Sequence, residues 1–160
     1  MKLKPIGTIH SSYQQATGTP IQSACAVGVK GTVEVFPEYA LGLRDLDGFD
    51  RIWLLYWFDR AKPAQLIVTP YLDTTPHGVF ATRAPCRPNP IGLSVVRLLG
   101  VTGHCLDVEG VDVLDNTPLL DIKPYIPAFD WFQTERVGWC GHSQSNSAVA
   151  DNRFETDEHA

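Results

Sequence analysis

The sequence has little positive charge and no long apolar run, and each absence excludes a class of protein. It contains 13 Lys and Arg residues against 18 Asp and Glu residues, a formal net charge of −5. This balance argues against a surface that is basic all over, so any contact with nucleic acid must be local. No apolar stretch approaches the roughly 20 residues that span a bilayer, and the first segment holds no secretory signal. We therefore expect a cytoplasmic protein without a membrane anchor.

Cysteine is also scarce. The four cysteines, at positions 25, 86, 105 and 140, form no C-x-x-C pair and have no histidine at zinc-ligand spacing, so we expect no metal site. Only Cys86 has arginines beside it that would lower its pKa, and no nearby His or Asp supplies a base, which favours packing over a nucleophilic role. The sequence also lacks a G-x-G-x-x-G segment after a strand and a Walker loop, so the common nucleotide-binding folds are not indicated.

What the sequence does contain is a series of short apolar or alternating runs separated by turn residues, the pattern of β-strands. The run Arg51–Phe58 is apolar on both faces and predicts a central strand buried on two sides. One short helix is predicted over residues 37–48, because Pro37 suits its first turn and Gly48 its end. The other predicted strands cover residues 6–10, 31–36, 66–72, 78–83, 91–101, 105–114 and 119–126.

Strands this short and frequent, with one helix, predict an all-β domain, a barrel or a sandwich, rather than a parallel α/β sheet. At 160 residues the chain has the length of one domain with one core. We assign the domain to residues 1–140. Residues 141–160 are polar and lack periodicity, and we expect a mobile C-terminal tail there. The change of phase at Gly110 predicts a bulge.

The segment FATRAPCRPNPIGLS, residues 80–94, joins two predicted strands through a loop that is both stiff and cationic. Its three prolines fix their φ angles, so the loop loses less entropy on ordering than an ordinary loop does. Arg83 and Arg87 project from this backbone, and each guanidinium can hold a carboxylate or phosphate through two hydrogen bonds. The loop is therefore interpreted as an anion clamp. The alternative is that both arginines pair with Asp or Glu and hold a barrel mouth together.

A second cluster of polar residues lies in VDVLDNTPLLDIKPY, residues 111–125. Asp112, Asp115 and Asp121 crowd around one turn with Lys123, and residues 115–118 have short side chains that expose backbone groups to a ligand. Buried carboxylates at a strand end suggest a proton acceptor or a site for a cation. The alternative is an ordinary turn closed by an Asx hydrogen bond.

These two segments, together with GFDRIWLLYWF and IGTIHSSY, resemble the TsaA/TrmO (YaeB-like) family of S-adenosyl-L-methionine-dependent methyltransferases. The resemblance covers residues 5–139, and its ordered motifs ATRxxxRPNPIGLS and DNTPxxDIKPY are highly specific. It implies a single β-barrel unlike the Rossmann-type methyltransferases, acting as a homodimer with the cofactor near the subunit interface. It also implies methylation of the exocyclic amine of threonylcarbamoyladenosine, next to the anticodon of tRNA.

The resemblance also implies roles for individual residues. Cofactor contacts are expected at Ser11, Ser12, Tyr13, Arg51, Ile52, Arg83, Leu93, Asp115, Asn116, Thr117 and Pro118. Substrate contacts are expected at Arg87, Asn89, Lys123 and Tyr125. Asp115 or Asp121 is the expected proton acceptor as the methyl group arrives. The sequence departs from the family pattern where Ser12 replaces a proline, His10 an arginine and Asn116 a glycine.

Many bacterial members of this family continue into a second domain, whereas this chain is expected to contain the barrel alone. Two alternatives to a tRNA methyltransferase therefore stay open. One is a methyltransferase for a small metabolite, which the acidic net charge allows. The other is a non-catalytic module that binds S-adenosyl-L-methionine.

Overall fold

The computed structural model describes residues 2–142 and 149–155, and short strands dominate it. The strands are β1 (Gly7–His10), β2 (Lys30–Val35), β3 (Arg51–Trp57), β4 (Ile67–Val68), β5 (His77–Gly78), β6 (Ile91–Thr102), β7 (Cys105–Glu109) and β8 (Thr117–Pro124). Short 3-10 helices cover Ser23–Cys25, Pro37–Leu43, Leu46–Gly48, Val79–Ala81 and Gly138–His142, and α1 is one turn at Pro127–Asp130. No helix within these ranges is long and apolar enough to cross a membrane.

Six of the strands close into an antiparallel barrel in the order β1-β2-β7-β6-β3-β8, and β8 pairs back to β1. Ile9 of β1, for example, lies opposite Val33 in β2 and opposite Thr117 in β8. The predicted all-β fold with a single barrel is therefore confirmed. The other two strands, β4 and β5, pair with each other in a two-residue ladder outside the barrel.

The barrel core is built by side chains that alternate along each strand, as the period of two requires. Strand β3 shows this alternation where burial on both faces was predicted. Ile52, Leu54 and Tyr56 are buried, whereas Trp53, Leu55 and Trp57, which alternate with them, are only half-buried on the outer face. An antiparallel barrel covers one face of each strand and leaves the other free, so the prediction of two covered faces is wrong.

The predicted helix over residues 37–48 is also wrong in type. Two 3-10 helices occupy this range, and Asp45 between them has a left-handed φ of 65° that ends any continuous helix. The predicted strands over residues 66–72 and 78–83 shorten to β4 and β5, followed by the 3-10 turn at Val79–Ala81. Pro70 cannot donate to a ladder, and β4 ends before it.

The change of phase at Gly110 is an exit from the sheet, not a bulge within it. Strand β7 ends at Glu109, and Gly110, with a φ of 95°, donates its N–H to the carbonyl of Val29. The shift of register lies instead in β6, between Leu98 and Gly100 opposite β7. The chain after Gly110 is thereby free to cross one end of the barrel.

The predicted mobile tail from residue 141 differs from the structure where the structure describes it. Residues 149–155 pack against the barrel, with Val149 bridged to Pro20 and Glu155 bridged to Ala61. Phe154 is buried in a second, smaller apolar cluster together with Cys86 and neighbouring residues of the proline-containing loop. Burial raises the pKa of the Cys86 thiol, in keeping with a packing role. Residues 143–148 and 156–160 lie outside the described residues.

Candidate functional site

A cavity of about 300 Å³ opens at the end of the barrel where β3 ends and β6 begins, which we call the mouth. Two segments meet there: the proline loop, residues 80–90, and the aspartate turn, residues 112–118. The cavity is completed by residues 58–61 after β3 and by the packed segment 149–155. Sequence-distant motifs thus share one concave surface of the size that small ligands occupy.

A buried row of hydrogen bonds forms one wall of the cavity. Ser94 Oγ donates to Asp112 Oδ1 at 2.6 Å, and Tyr56 Oη lies 3.0 Å from the same Ser94 oxygen. Because the one hydroxyl hydrogen of Ser94 goes to Asp112, the phenol of Tyr56 must donate to Ser94. Burial raises the pKa of Asp112 to about 6, against the opposing effects of the Ser94 hydrogen bond and the Arg83 charge. Asp112 is therefore a carboxylate that titrates near neutrality.

The Tyr56 ring is placed by a glycine on the neighbouring strand. Tyr56 lies opposite Gly92 across the β3–β6 ladder, and a Cβ built on Gly92 would be 2.0 Å from Tyr56 Cε2. No other residue type leaves room for the ring in this position. Sequence reasoning missed Tyr56 and Ser94 as site residues. The signal was the period of two in β6, which puts Ser94 on the apolar inward face between Gly92 and Val96.

The two arginines of the proline loop have different tasks. Arg87 Nη1 donates to the carbonyls of Val79, Thr82 and Ala84 at 3.0, 2.9 and 3.4 Å, so this side chain braces the loop. Arg83 lines the cavity and donates to the Gln22 side-chain oxygen. Within residues 2–142 and 149–155, neither guanidinium lies within 4.0 Å of a carboxylate oxygen, so the ion-pair alternative is wrong. Among the residues that the structure describes, Arg83 therefore presents to the cavity a cationic group without an acidic partner.

The first turn of the chain is joined to the aspartate turn. Ser11 Oγ donates to the carbonyl of Val113 at 2.7 Å, and the Asp115 N–H donates to the carbonyl of Tyr13 at 2.7 Å. The Asp115 carboxylate accepts from the Ser11 N–H and from the side chains of Gln14 and Asn116. Partial burial acts to raise the pKa of Asp115, but these hydrogen bonds together hold it below its ordinary value.

Some predicted residues lie close to the mouth, but not all of them line the cavity. The cavity is lined by Arg83, Arg87, Leu93 and Thr117. Ser11, Tyr13, Asp115 and Asn116 lie beside it in the joined turns, Asn116 with a left-handed φ of 62°, and Pro118 follows at the start of β8. Ser12 and Asn89 are exposed and do not line the cavity.

Three of the remaining predicted residues, Arg51, Ile52 and Tyr125, lie at the opposite end of the barrel, which we call the far end. The other two, Asp121 and Lys123, lie along β8 opposite Leu55 and Trp53, between the two ends. Arg51 and Ile52 begin β3, and Tyr125 donates its N–H to the carbonyl of Arg51 at 3.0 Å. At about 3.3 Å per residue, Ile52 is roughly 17 Å along β3 from Trp57 at the mouth. Asp121 and Lys123 of β8 form an exposed ion pair of 2.8 Å. A single chain therefore does not bring Arg51, Ile52, Asp121, Lys123 and Tyr125 to the cavity. The strand ladder fixes the distance of Arg51, Ile52 and Tyr125 from the cavity, whereas Asp121 and Lys123 are exposed on the outer face of β8.

Two charged residues of the cavity wall were also missed by the sequence reasoning. Arg60 follows β3 and donates through Nη2 to the carbonyl of Asp115 at 2.7 Å, which fastens the aspartate turn. Glu155 is only 4% exposed, and its Oε2 accepts from the Ala16 N–H at 2.9 Å. Sequence alone gave no signal for either, since one lies in an irregular connection and the other in a segment that lacks periodicity.

Comparison with known proteins places this geometry in a family. The model of the tRNA-methyltransferase O N-terminal domain matches residues 8–131. A Pyrococcus abyssi protein named a probable S-adenosyl-L-methionine-binding protein is 54% identical over 153 residues, covering 94% of this chain and 83% of that protein. The mouse tRNA (adenine(37)-N6)-methyltransferase is 35% identical over 136 residues, covering 79% of this chain and 31% of that protein.

A solved structure agrees with the sequence matches. The crystal structure of TrmO from Pseudomonas aeruginosa superimposes with a TM-score of 0.73 at 38% identity, covering 86% of this chain. The chain spans 62% of that solved protein, so the likeness concerns the barrel and not the remainder. Motifs, closed barrel and structural match agree, and the chain belongs to the family of the tRNA-methyltransferase O N-terminal domain.

Proposed function

We propose that this chain is an S-adenosyl-L-methionine-dependent methyltransferase that acts on tRNA, at the exocyclic amine of threonylcarbamoyladenosine. The observation that carries the proposal is the cavity at the mouth, where the proline loop and the aspartate turn lie together. Its wall combines Arg83, a guanidinium without an acidic partner among the described residues, with the half-buried carboxylate of Asp112. A cationic cofactor and a substrate that carries a carboxylate need both charges in one place.

The residues at the mouth fit an adenosyl cofactor. S-adenosyl-L-methionine supplies a methyl group on a positively charged sulfur, which is displaced in line by the acceptor. The Asp112 carboxylate favours a positive charge in the cavity, and its partner Ser94 keeps it in one orientation. Tyr56, Phe58 and Leu93 add apolar wall to a cavity of about 300 Å³, which limits the water around the ligand.

Asp112 is a better proton acceptor than the two aspartates that the sequence suggested. The Asp115 carboxylate already accepts three hydrogen bonds, and its pKa is lowered, so it holds a proton poorly. Asp121 is paired with Lys123 on the outer surface, away from the mouth. Asp112 lines the cavity with a pKa of about 6, which is close to the pH at which a general base works best.

Arg83 is the residue that we assign to the anionic group of the substrate. Threonylcarbamoyladenosine ends in a carboxylate, and a guanidinium held by a stiff loop can bind it through two hydrogen bonds. The Arg87 side chain bridges three carbonyls of the loop, so its part is to keep Arg83 in position. This division replaces the expectation that Arg87 and Asn89 grip the substrate directly.

The far-end residues can contribute only through a second copy of the chain. We assign a homodimer in which the far end of one copy faces the mouth of the other. Leu66, Ile67 and Phe80 near the mouth are 66%, 63% and 76% exposed, an apolar surface of the kind that a partner covers. Light scattering coupled to size exclusion tests the assignment, and a monomer at micromolar concentration would contradict it.

The test of the activity is transfer of a labelled methyl group in vitro. We expect transfer to tRNA that carries threonylcarbamoyladenosine and none to the same tRNA transcribed without the modification. Mass spectrometry of the digested nucleosides then locates the new methyl group on the exocyclic amine. Transfer to small amines but to no tRNA would instead support the metabolite alternative.

A second candidate is binding without transfer. The Pyrococcus abyssi relative and an Archaeoglobus fulgidus relative, 42% identical over 130 residues, are named only for S-adenosyl-L-methionine binding. Titration calorimetry separates the two candidates. Binding of the cofactor, with no methyl transfer to any tRNA pool, would select the second one.

A further inference from the structure

Two polar atoms in the cavity wall lack hydrogen-bond partners. Within the described ranges, the only buried side-chain nitrogen or oxygen atoms without a partner are Arg60 Nε and Glu155 Oε1. Both residues line the cavity at the mouth. Buried polar groups are nearly always paired in folded proteins, so an unpaired donor and an unpaired acceptor in one cavity indicate a ligand that supplies both partners.

Glu155 is held so that only one of its oxygens is occupied. The residue is 4% exposed, Oε2 accepts from the Ala16 N–H at 2.9 Å, and no basic side chain of the described residues lies within 4.0 Å of it. A β-bridge between the backbones of Glu155 and Ala61 also holds the Glu155 backbone in place. A carboxylate this buried without a cation is unfavourable unless a positive group binds to it.

The Arg60 guanidinium, like the Glu155 carboxylate, is held by a hydrogen bond at one atom while another polar atom has no partner. Its Nη2 donates to the carbonyl of Asp115 at 2.7 Å, which orients the guanidinium, and its Nε lies 3.6 Å from Asp59 Oδ1, beyond hydrogen-bond distance. The Nε–H is therefore left for another acceptor. Because Ala61 is bridged to Glu155, the backbones that carry the orphan donor and the orphan acceptor are neighbours.

We infer that Arg60 and Glu155 bind the amino-acid end of the cofactor, Glu155 Oε1 accepting from its ammonium and Arg60 Nε donating to its carboxylate. The inference rests on the proposed function, and it assigns a subsite that neither the proline loop nor the aspartate turn supplies. A zwitterion matches one donor and one acceptor, whereas the threonylcarbamoyl group offers a carboxylate but no ammonium. The packed segment 149–155 thereby becomes part of the binding site.

Three ligands separate this subsite from a structural role. S-adenosyl-L-methionine and S-adenosyl-L-homocysteine share the amino-acid end and differ in the charge on sulfur, whereas methylthioadenosine lacks the amino-acid end. Glu155→Gln keeps an oxygen for the Ala16 N–H and removes the charge. By calorimetry we expect this variant to bind the first two ligands about 10- to 100-fold more weakly. Its affinity for methylthioadenosine should stay within about twofold of the wild type.

The matched control is Glu135→Gln, which removes an exposed carboxylate and should leave all three affinities unchanged. An equal loss for methylthioadenosine would mean that Glu155 only supports the fold, and the inference would be wrong. A loss confined to the methylated cofactor would place Glu155 at the sulfonium and also overturn it. If the wild type binds neither amino-acid-bearing ligand, the proposed function itself fails.

Arg60 provides a second, independent test should Glu155→Gln fail to fold. Decarboxylated S-adenosyl-L-methionine keeps the ammonium and lacks the carboxylate. Arg60→Gln should lower the affinity for the intact cofactor about 10-fold or more and the affinity for the decarboxylated cofactor by less than about twofold. The reason is that only the intact cofactor has a carboxylate for the guanidinium to bind. Equal losses for both ligands would show that Arg60 acts only by fastening the aspartate turn.

Discussion

The mouth and the outer face of the barrel hold their polar residues in different ways. At the mouth, Tyr56 and Ser94 are buried, Asp112 is half-buried, and the three are joined by hydrogen bonds. On the outer face of β8, Asp121 and Lys123 form an ion pair whose side chains are 43% and 62% exposed. Buried groups need fixed partners, whereas exposed charges are solvated and free to move. The sequence motifs mark both places, but of these two sets only the residues at the mouth are held in place by a row of hydrogen bonds within one chain.

The largest expected effect comes from the glycine under the Tyr56 ring. Gly92→Ala puts a methyl group where Tyr56 lies, so the ring must leave its place in the hydrogen-bonded row. We expect the free energy of unfolding to fall by about 3 kcal/mol or more, the upper range for an overpacked core. Urea denaturation measures the loss, and calorimetry should show that cofactor binding weakens with it.

Gly100→Ala in the same strand is the control for this substitution. Nothing lies within 4 Å of a Cβ at Gly100, so its effect on unfolding should stay below about 1 kcal/mol. Similar losses for both alanines would mean that β6 is sensitive to any added side chain, and the special position of the mouth would disappear.

The next effect concerns the half-buried carboxylate at the mouth. The native pKa of Asp112, about 6, lies above the value of 3.8 for an ordinary Asp, so the folded protein keeps a proton that the unfolded chain has released. The free energy of unfolding should therefore fall by about 2–3 kcal/mol between pH 4 and pH 6. Asp112→Asn keeps an acceptor for Ser94 and cannot ionise, so it should be more stable than the wild type above pH 6.

The same variant should be unable to transfer methyl groups while it still binds tRNA, because it has no proton acceptor. Denaturation at several pH values and the labelled transfer assay measure the two properties. A variant that is as active as the wild type would remove Asp112 from the reaction. If the free energy of unfolding depended on pH in the same way in Asp112→Asn and in the wild type, the Asp112 carboxylate would be solvated in the folded protein.

A smaller effect distinguishes the arginines of the two ends. Arg83→Ala removes a charged hydrogen-bond donor from the cavity and should weaken binding of the modified tRNA by about 1.5–3 kcal/mol. Arg51→Ala at the exposed far end should weaken it by less than about 1 kcal/mol. Filter binding measures both.

Dilution sharpens this test. If the far end acts through a second copy, the effect of Arg51→Ala should vanish when the protein is diluted until its copies dissociate, whereas the effect of Arg83→Ala should remain. An effect of Arg51→Ala that persists in the monomer would contradict the assignment of the far end to a partner.

The smallest effect is expected at the surface ion pair. Asp121→Asn weakens the contact with Lys123, and an exposed pair of this kind contributes little to stability because solvent and salt screen it. Thermal denaturation should show almost no change at physiological salt. A loss as large as that of Gly92→Ala would mean that the outer face of β8 is as constrained as the mouth.

The sequence predicted the features that depend on local residue patterns. It missed the features that depend on contacts made when the barrel closes. Alternation in β2 was readable, and so was the stiffness of the proline loop, because both follow from residue types close together in the chain. The motif resemblance marked Arg83 and Thr117, which reach the cavity, and also Arg51 and Asp121, which do not. A motif records which residues belong together but not which strand end they occupy.

The residues that sequence reasoning missed are those whose role depends on distant contacts. Ser94 looks like an ordinary strand residue until the barrel closes and places Asp112 beside it. Glu155 looks like part of a polar tail until Phe154, its neighbour, packs into the second apolar cluster. Neither contact leaves a periodic or compositional trace, because each joins segments far apart in the chain.

Closure of the barrel also decides how copies of this chain can associate. Every barrel strand has a hydrogen-bonded neighbour on both sides, and the two-residue ladder of β4 and β5 offers only a short edge. A sheet without open margins cannot be extended by a strand from another molecule. Any contact between copies of the chain must therefore be made by side chains. Single substitutions on the barrel surface could then change the affinity between copies and leave the barrel itself unchanged.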